Sequence, residues 1–195
     1  MPDSVSLSVA GATVYETSHT IPLAWLALLD NDDLQRASGR SGEDSWRYVC
    51  SVGVGVDRLL GVSEILEESS YLWSFFHVLD RLRDELQRHD EDDELVIDIT
   101  VALDSYVTDE EMAGEPVRLF GALERTARLG DDDAIVSSFR DLLRDVGQVD
   151  IEVTGDLRRD MRALALNYTS ESDSAAREVL DDTMLGWYVG DNPDI

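Results

Sequence analysis

Forty-two carboxylates stand against sixteen guanidiniums in this chain, and lysine is absent, so any fold must hold together at a formal charge of −26. Self-repulsion on that scale works against a compact state. Disorder is one way out, but it requires low hydrophobicity, and 43% of the 195 residues are hydrophobic. That is enough apolar material for a sizeable core. Concentrated salt is the other way out. At about 1 M salt the Debye length falls to roughly 3 Å, and surface carboxylates scarcely sense one another. The composition reads as that of a folded, acidic, halophilic protein from a salt-rich cytoplasm. Arginine in place of lysine fits this habitat, although GC-rich coding gives the same replacement.

The missing lysine excludes whole classes of chemistry. A Walker A loop needs Lys at the phosphates, and a protein kinase needs its strand Lys. A Schiff base to pyridoxal or to a carbonyl substrate needs a lysine amine. Nucleic acid is not an expected partner, because binding starts with cations neutralising phosphates. The arginines here are scattered, with Arg158-Arg159 the one adjacent pair. The single cysteine, Cys50, forms no internal disulfide and no Cys-based zinc site. Met1-Pro2-Asp3 lacks the basic start of a signal peptide. The longest apolar run, Ile21 to Leu29, falls short of the ~20 residues that span a bilayer, so no membrane partner is expected.

Along the chain, residues 4–16 predict a β-hairpin. Val5, Leu7 and Val9 alternate with serines, Ala10-Gly11 makes the turn, and Thr13-Val14-Tyr15 return. A short helix follows near Ile21–Leu29, with Pro22 in its first turn. Asp30 to Asp33 suit a capped turn through Gln35, and residues 38–44 form a loop by composition. Residues 45–60 fit two patterns. Tyr48, Cys50, Val52, Val54 and Val56 alternate as in a strand, whereas Trp46, Val49, Val52, Val56 and Leu59 recur as in a helix. The helical pattern continues to Leu66, and a helix is expected here.

Residues 71–88 give the clearest helix, with Leu72, Phe75, Phe76, Leu79, Leu82 and Leu86 on one face. Leu95, Ile97, Ile99 and Val101 then alternate as a strand. Residues 116–147 predict a helical hairpin, opened by Pro116, with Gly130 closing the first helix and Gly147 the second. Val149 to Val153 suggest a strand, 156–168 and 172–186 helices, and about 187–195 a tail. The expected architecture is a single α+β domain over 1–195, rich in helix, with a small sheet that includes the hairpin. Residues 1–56 carry seven acids and three arginines, a net of −4, which leaves −22 for the rest. Burial of that quarter is the simpler explanation, and a contact surface is the other.

Several motifs suggest chemistry. Gly53-Val54-Gly55 begins like a dinucleotide fingerprint, but Arg58 replaces the third glycine, so tight packing or a kink is expected. Gly61-Val62-Ser63-Glu64-Ile65 lacks the closing glycine of a nucleophile elbow. Asp90, Asp92 and Glu94 are spaced as in a calcium loop, but Leu95 and Val101 stand where Gly and Glu are required. Asp30/Asp32 and Asp131/Asp133 also lack the glycine. No metal and no cofactor is expected. His19, in a loop before Pro22, reads as a local cap or hydrogen-bonding group, and His89, at the border of the acidic run, as a solvated helix end. His77 shares one side of its helix with Trp73, Asp80 and Asp84, and an imidazole beside a carboxylate is the one candidate general base. Cys50 lies in an apolar run and reads as an inert small hydrophobe. Trp25, Trp46 and Trp187 read as core or interface anchors.

These observations predict a non-catalytic protein-interaction or regulatory domain with an unidentified protein partner. One alternative is a small lysine-independent enzyme whose site, on the Trp73–His77–Asp80–Asp84 face, forms only in the fold. The other is a structural protein that self-associates through the Val5–Val9 edge.

Overall fold

The alternation of Val5, Leu7 and Val9 with serines becomes strand β1, Val5–Val9, with the three aliphatic side chains buried. Ala10 and Gly11, both at positive φ, turn the chain into β2, Ala12–Thr17. Leu7 pairs with Tyr15 and Ser8 with Thr13, so Val14 is the extra residue of a β-bulge. The bulge lets both Val14 and Tyr15 be buried. The computed structural model describes residues 4–17, 21–38, 44–67, 72–104, 115–147, 154–156, 159–160 and 184–190.

After β2 a 3-10 helix, Leu23–Leu28, buries all six of its residues. The carboxylate of Asp30 accepts the Asp32 backbone N–H at 3.0 Å and caps the turn Asn31–Asp33. Then come β3, Leu34–Ser38, and β4, Asp44–Ser51. Helix α1, Val52–Glu67, follows β4 directly, and α2 spans Trp73–Leu86. Strand β5, Glu94–Asp98, leads into the short α3, Thr100–Asp104. Helices α4, Glu115–Leu129, and α5, Asp132–Gly147, form the expected hairpin, turned at Gly130 with φ +65°. Strand β6 is Trp187–Tyr188.

The fold is α+β, with one antiparallel six-stranded sheet in the order β3-β4-β5-β1-β2-β6. Leu7, Ile97, Tyr48 and Tyr15 lie in register across one face and are buried under α1, α2 and the 3-10 helix. The opposite row, Trp187, Glu16, Ser6, Asp98 and Arg47, is half-buried to exposed. Such two-sidedness is ordinary for an antiparallel sheet. The α4–α5 hairpin packs on α1 and the 3-10 helix and reaches α2 through an edge-to-face contact of Phe120 with Phe75. Among the described residues, no helix is long and apolar enough to cross a membrane.

Four expectations are corrected. The stretch 45–60 is strand to Ser51 and helix from Val52, so both patterns were real over different halves. The strand expected to reach Val101 ends at Asp98. There the Asp98 carboxylate accepts both the backbone N–H (3.1 Å) and the hydroxyl (2.6 Å) of Thr100, which caps the start of α3. Trp187 begins no tail: with Tyr188 it pairs with Glu16 and Tyr15 as an edge strand. Nor is β1 an edge, since β5 and β2 flank it, and the Val5–Val9 route to self-association is closed. The predictions for 149–153, most of 156–168 and most of 172–186, and the structure around His19, lie outside the described residues. The low charge of the N-terminal quarter has the simpler explanation, because the hairpin, the 3-10 helix and β4 supply much of the core.

Candidate functional site

The expected His77 face runs along α2. His77 is exposed, with its ring edge-to-face against Phe76 at 5.4 Å. The Asp80 carboxylate pairs with Arg83, and Asp84 shares that guanidinium at 3.2 Å. Trp73 lies on the same helix, with its side chain outside the described set. Cys50 is half-buried in β4. Burial pushes its thiol up, Arg58 opposes this, and Asp33 adds to it, which disfavours the reactive thiolate.

The Gly53-Val54-Gly55 motif does sit between a strand and a helix, yet its geometry is one of packing. The first helical donors are taken: Val52 N–H by the Asp93 carbonyl and Gly53 N–H by the Glu91 carbonyl, each at 2.9 Å. A Cβ on Gly55 would lie 2.8 Å from Leu95 Cδ2 and 3.3 Å from Leu28 Cδ2. The acidic clusters act locally as well. Asp90 accepts Asp92 N–H, Asp93 accepts Asp90 N–H and Asp131 accepts Ala134 N–H, each at 3.1 Å. Among the described residues, no group of three His, Cys, Asp or Glu side chains is placed to hold a metal.

Two features stand out that the sequence reading did not assemble. The first is a clasp at the β6 edge. Trp25, fully buried, donates its indole N–H to the Leu185 carbonyl at 2.8 Å. Gly186 has φ +85°, and a Cβ there would lie 2.9 Å from the Glu16 carbonyl. Tyr188 meets Tyr15 edge-to-face at 5.3 Å and donates its hydroxyl to Glu85 at 3.1 Å. Glu85 is only 8% exposed and also accepts from Arg88 at 2.7 Å. The backbone N–H groups of Val189 and Gly190 both donate to the Val14 carbonyl at the bulge. Between these pinned atoms, Trp187 and Val189 are each 47% exposed.

The second feature is a cleft of about 320 Å³ between the 3-10 helix, α1 and α4. Leu26, Leu29, Val62 and Phe120 form its apolar lining. Asp30, Arg58, Glu124 and Arg128 supply its charge. Arg58 is fixed from one side, where Nη1 donates to the Leu28 carbonyl at 2.8 Å and pairs with Asp33. Burial pulls the Arg58 pKa down, but the Asp33 hydrogen bond and charge outweigh it and hold the guanidinium protonated. Gly61 and Gly121 line the same cleft from facing helices. Each costs its helix about 1 kcal/mol relative to Ala.

Comparison with protein-family models, with curated proteins and with solved structures gives no significant match.

Proposed function

We propose that this chain is a non-catalytic protein-interaction domain that docks a protein partner on the face carrying Trp187 and Val189, in the cytoplasm of a cell rich in salt. The observation that supports the reading is a large aromatic side chain, 47% exposed, on a backbone held by its neighbours on both sides. Interface hot spots are enriched in Trp, and an anchor carried on an already ordered backbone leaves less chain entropy to lose on binding. Apolar burial also survives the molar salt that a charge of −26 calls for, whereas exposed ion pairs are screened. Beside Trp187 across the strand pair lies Glu16, so the patch is apolar with an acidic margin.

The test is a pull-down of tagged native and W187A proteins from native lysate, kept in molar KCl throughout. A stoichiometric partner held by the native protein and lost with W187A, at an unchanged unfolding midpoint, is expected. A partner retained equally by W187A would move the interface elsewhere. Nothing bound, with a concentration-dependent dimer of the native chain alone, would replace the partner by a second copy of this chain.

A further inference from the structure

We propose that the cleft between the 3-10 helix, α1 and α4 binds an uncharged, largely apolar small molecule that carries one hydrogen-bond acceptor. Its volume, about 320 Å³, falls at the lower end of small-ligand sites. Leu26, Val62 and Phe120 offer an apolar lining to the body of such a molecule. Arg58 offers the donor. Its Nη1 is spent on Leu28 and Asp33, while Nη2 comes no closer than 3.9 Å to Asp30, beyond hydrogen-bond reach. The guanidinium is thus oriented from behind and retains donor capacity, with its side chain 25% exposed.

Charge selects the head group. The charged lining is balanced, Asp30 and Glu124 against Arg58 and Arg128, with Arg128 paired to Glu124 and Arg58 held by Asp33 from behind. An anionic head would meet the Asp30 and Glu124 carboxylates, and a cationic head would meet both arginines. A neutral acceptor, such as a primary amide oxygen, meets neither penalty. The glycines indicate that the space is kept rather than left over. A Cβ on Gly61 would have nothing within 4 Å, and one on Gly121 would meet only the far end of the Arg125 side chain at 3.3 Å. Unlike Gly55, neither is demanded by close packing against the core, and both are among the residues that line the cleft.

The experiment is titration calorimetry in molar KCl with three eight-carbon probes of matched chain: octanamide, octanoate and octylammonium. Saturable one-to-one binding of octanamide is expected, with the two charged probes at least about tenfold weaker. Gly61→Leu should weaken octanamide by roughly tenfold or more without lowering the unfolding midpoint. Should G61L fail to fold, Gly61→Ala adds a single methyl and should still weaken binding by about threefold. No saturable binding of octanamide, equal affinity for a charged probe, or affinity unchanged in a folded Gly61 variant would each overturn the proposal. The Trp187 face plays no part in it, so either reading can fail alone.

Discussion

Tyr188 donates its hydroxyl to Glu85 across 103 residues of sequence and ties the last strand of the sheet to the buried side of α2. Glu85 is a carboxylate inside a core, so its two partners matter more than their surface counterparts would. Tyr188→Phe should cost about 0.5–1.5 kcal/mol, the net worth of one hydrogen bond. Glu85→Ala, which strands the Tyr188 hydroxyl, should cost about 1–3 kcal/mol. Urea unfolding in molar KCl measures both. Equal, negligible losses would mean that the clasp contributes nothing to stability.

Two glycines in one helix should respond in opposite directions. Gly55→Ala drives a Cβ to 2.8 Å from a buried Leu95 methyl and should destabilise by about 1–2 kcal/mol. Gly61→Ala meets open space and should gain up to about 1 kcal/mol through helix propensity. Thermal unfolding of the pair checks the sign of each.

Stability should fall at alkaline pH through Tyr15. Burial, and after it the Glu85 charge, lifts its hydroxyl from 10.0 to about 12. Between those values the native state keeps a proton that the unfolded chain has released. Its contribution is therefore complete below pH 10 and is lost as pH rises towards 12, at about 1 kcal/mol per pH unit. Burial shifts Tyr48 in the same direction, with the Asp30 charge adding to it. Tyrosinate absorbance alongside unfolding curves tests this, and Tyr15→Phe should flatten part of the slope.

The fold should require salt. With 42 acids and 16 arginines, removal of screening restores self-repulsion among the exposed carboxylates. A circular dichroism melt should shift steeply downward as KCl is reduced from molar to low concentration. A midpoint indifferent to salt would remove the halophilic reading.

Much of the fold was legible because its periodicity is local. The serine–aliphatic alternation of Val5–Val9 and the apolar stripe through Phe75, Leu79 and Leu82 state their elements within a few residues. The α4–α5 hairpin announced itself through Pro116, Gly130 and Asp131. The junction at Ser51–Val52 was harder, since a strand running directly into a helix leaves no loop residues to mark the change. Strand β3 was missed because Leu34-Gln35-Arg36 reads as polar, and it is an edge strand whose Arg36 lies over the Trp46 ring at 5.5 Å. Glu85 and Tyr188 carry no motif. A glutamate on the flank of an apolar stripe, three residues after Leu82, was the one sign that a carboxylate entered the core. The cleft depends on which helices face one another, and periodicity does not report that.

The clasp also has a consequence for synthesis. Trp25 leaves the ribosome 160 residues before Leu185, its hydrogen-bond acceptor. At ~5–20 residues per second the indole waits roughly 10–30 s for that carbonyl. Until then the nascent hairpin lacks the strand that completes its outer border, and the newborn chain carries an unfinished sheet while those 160 residues are made.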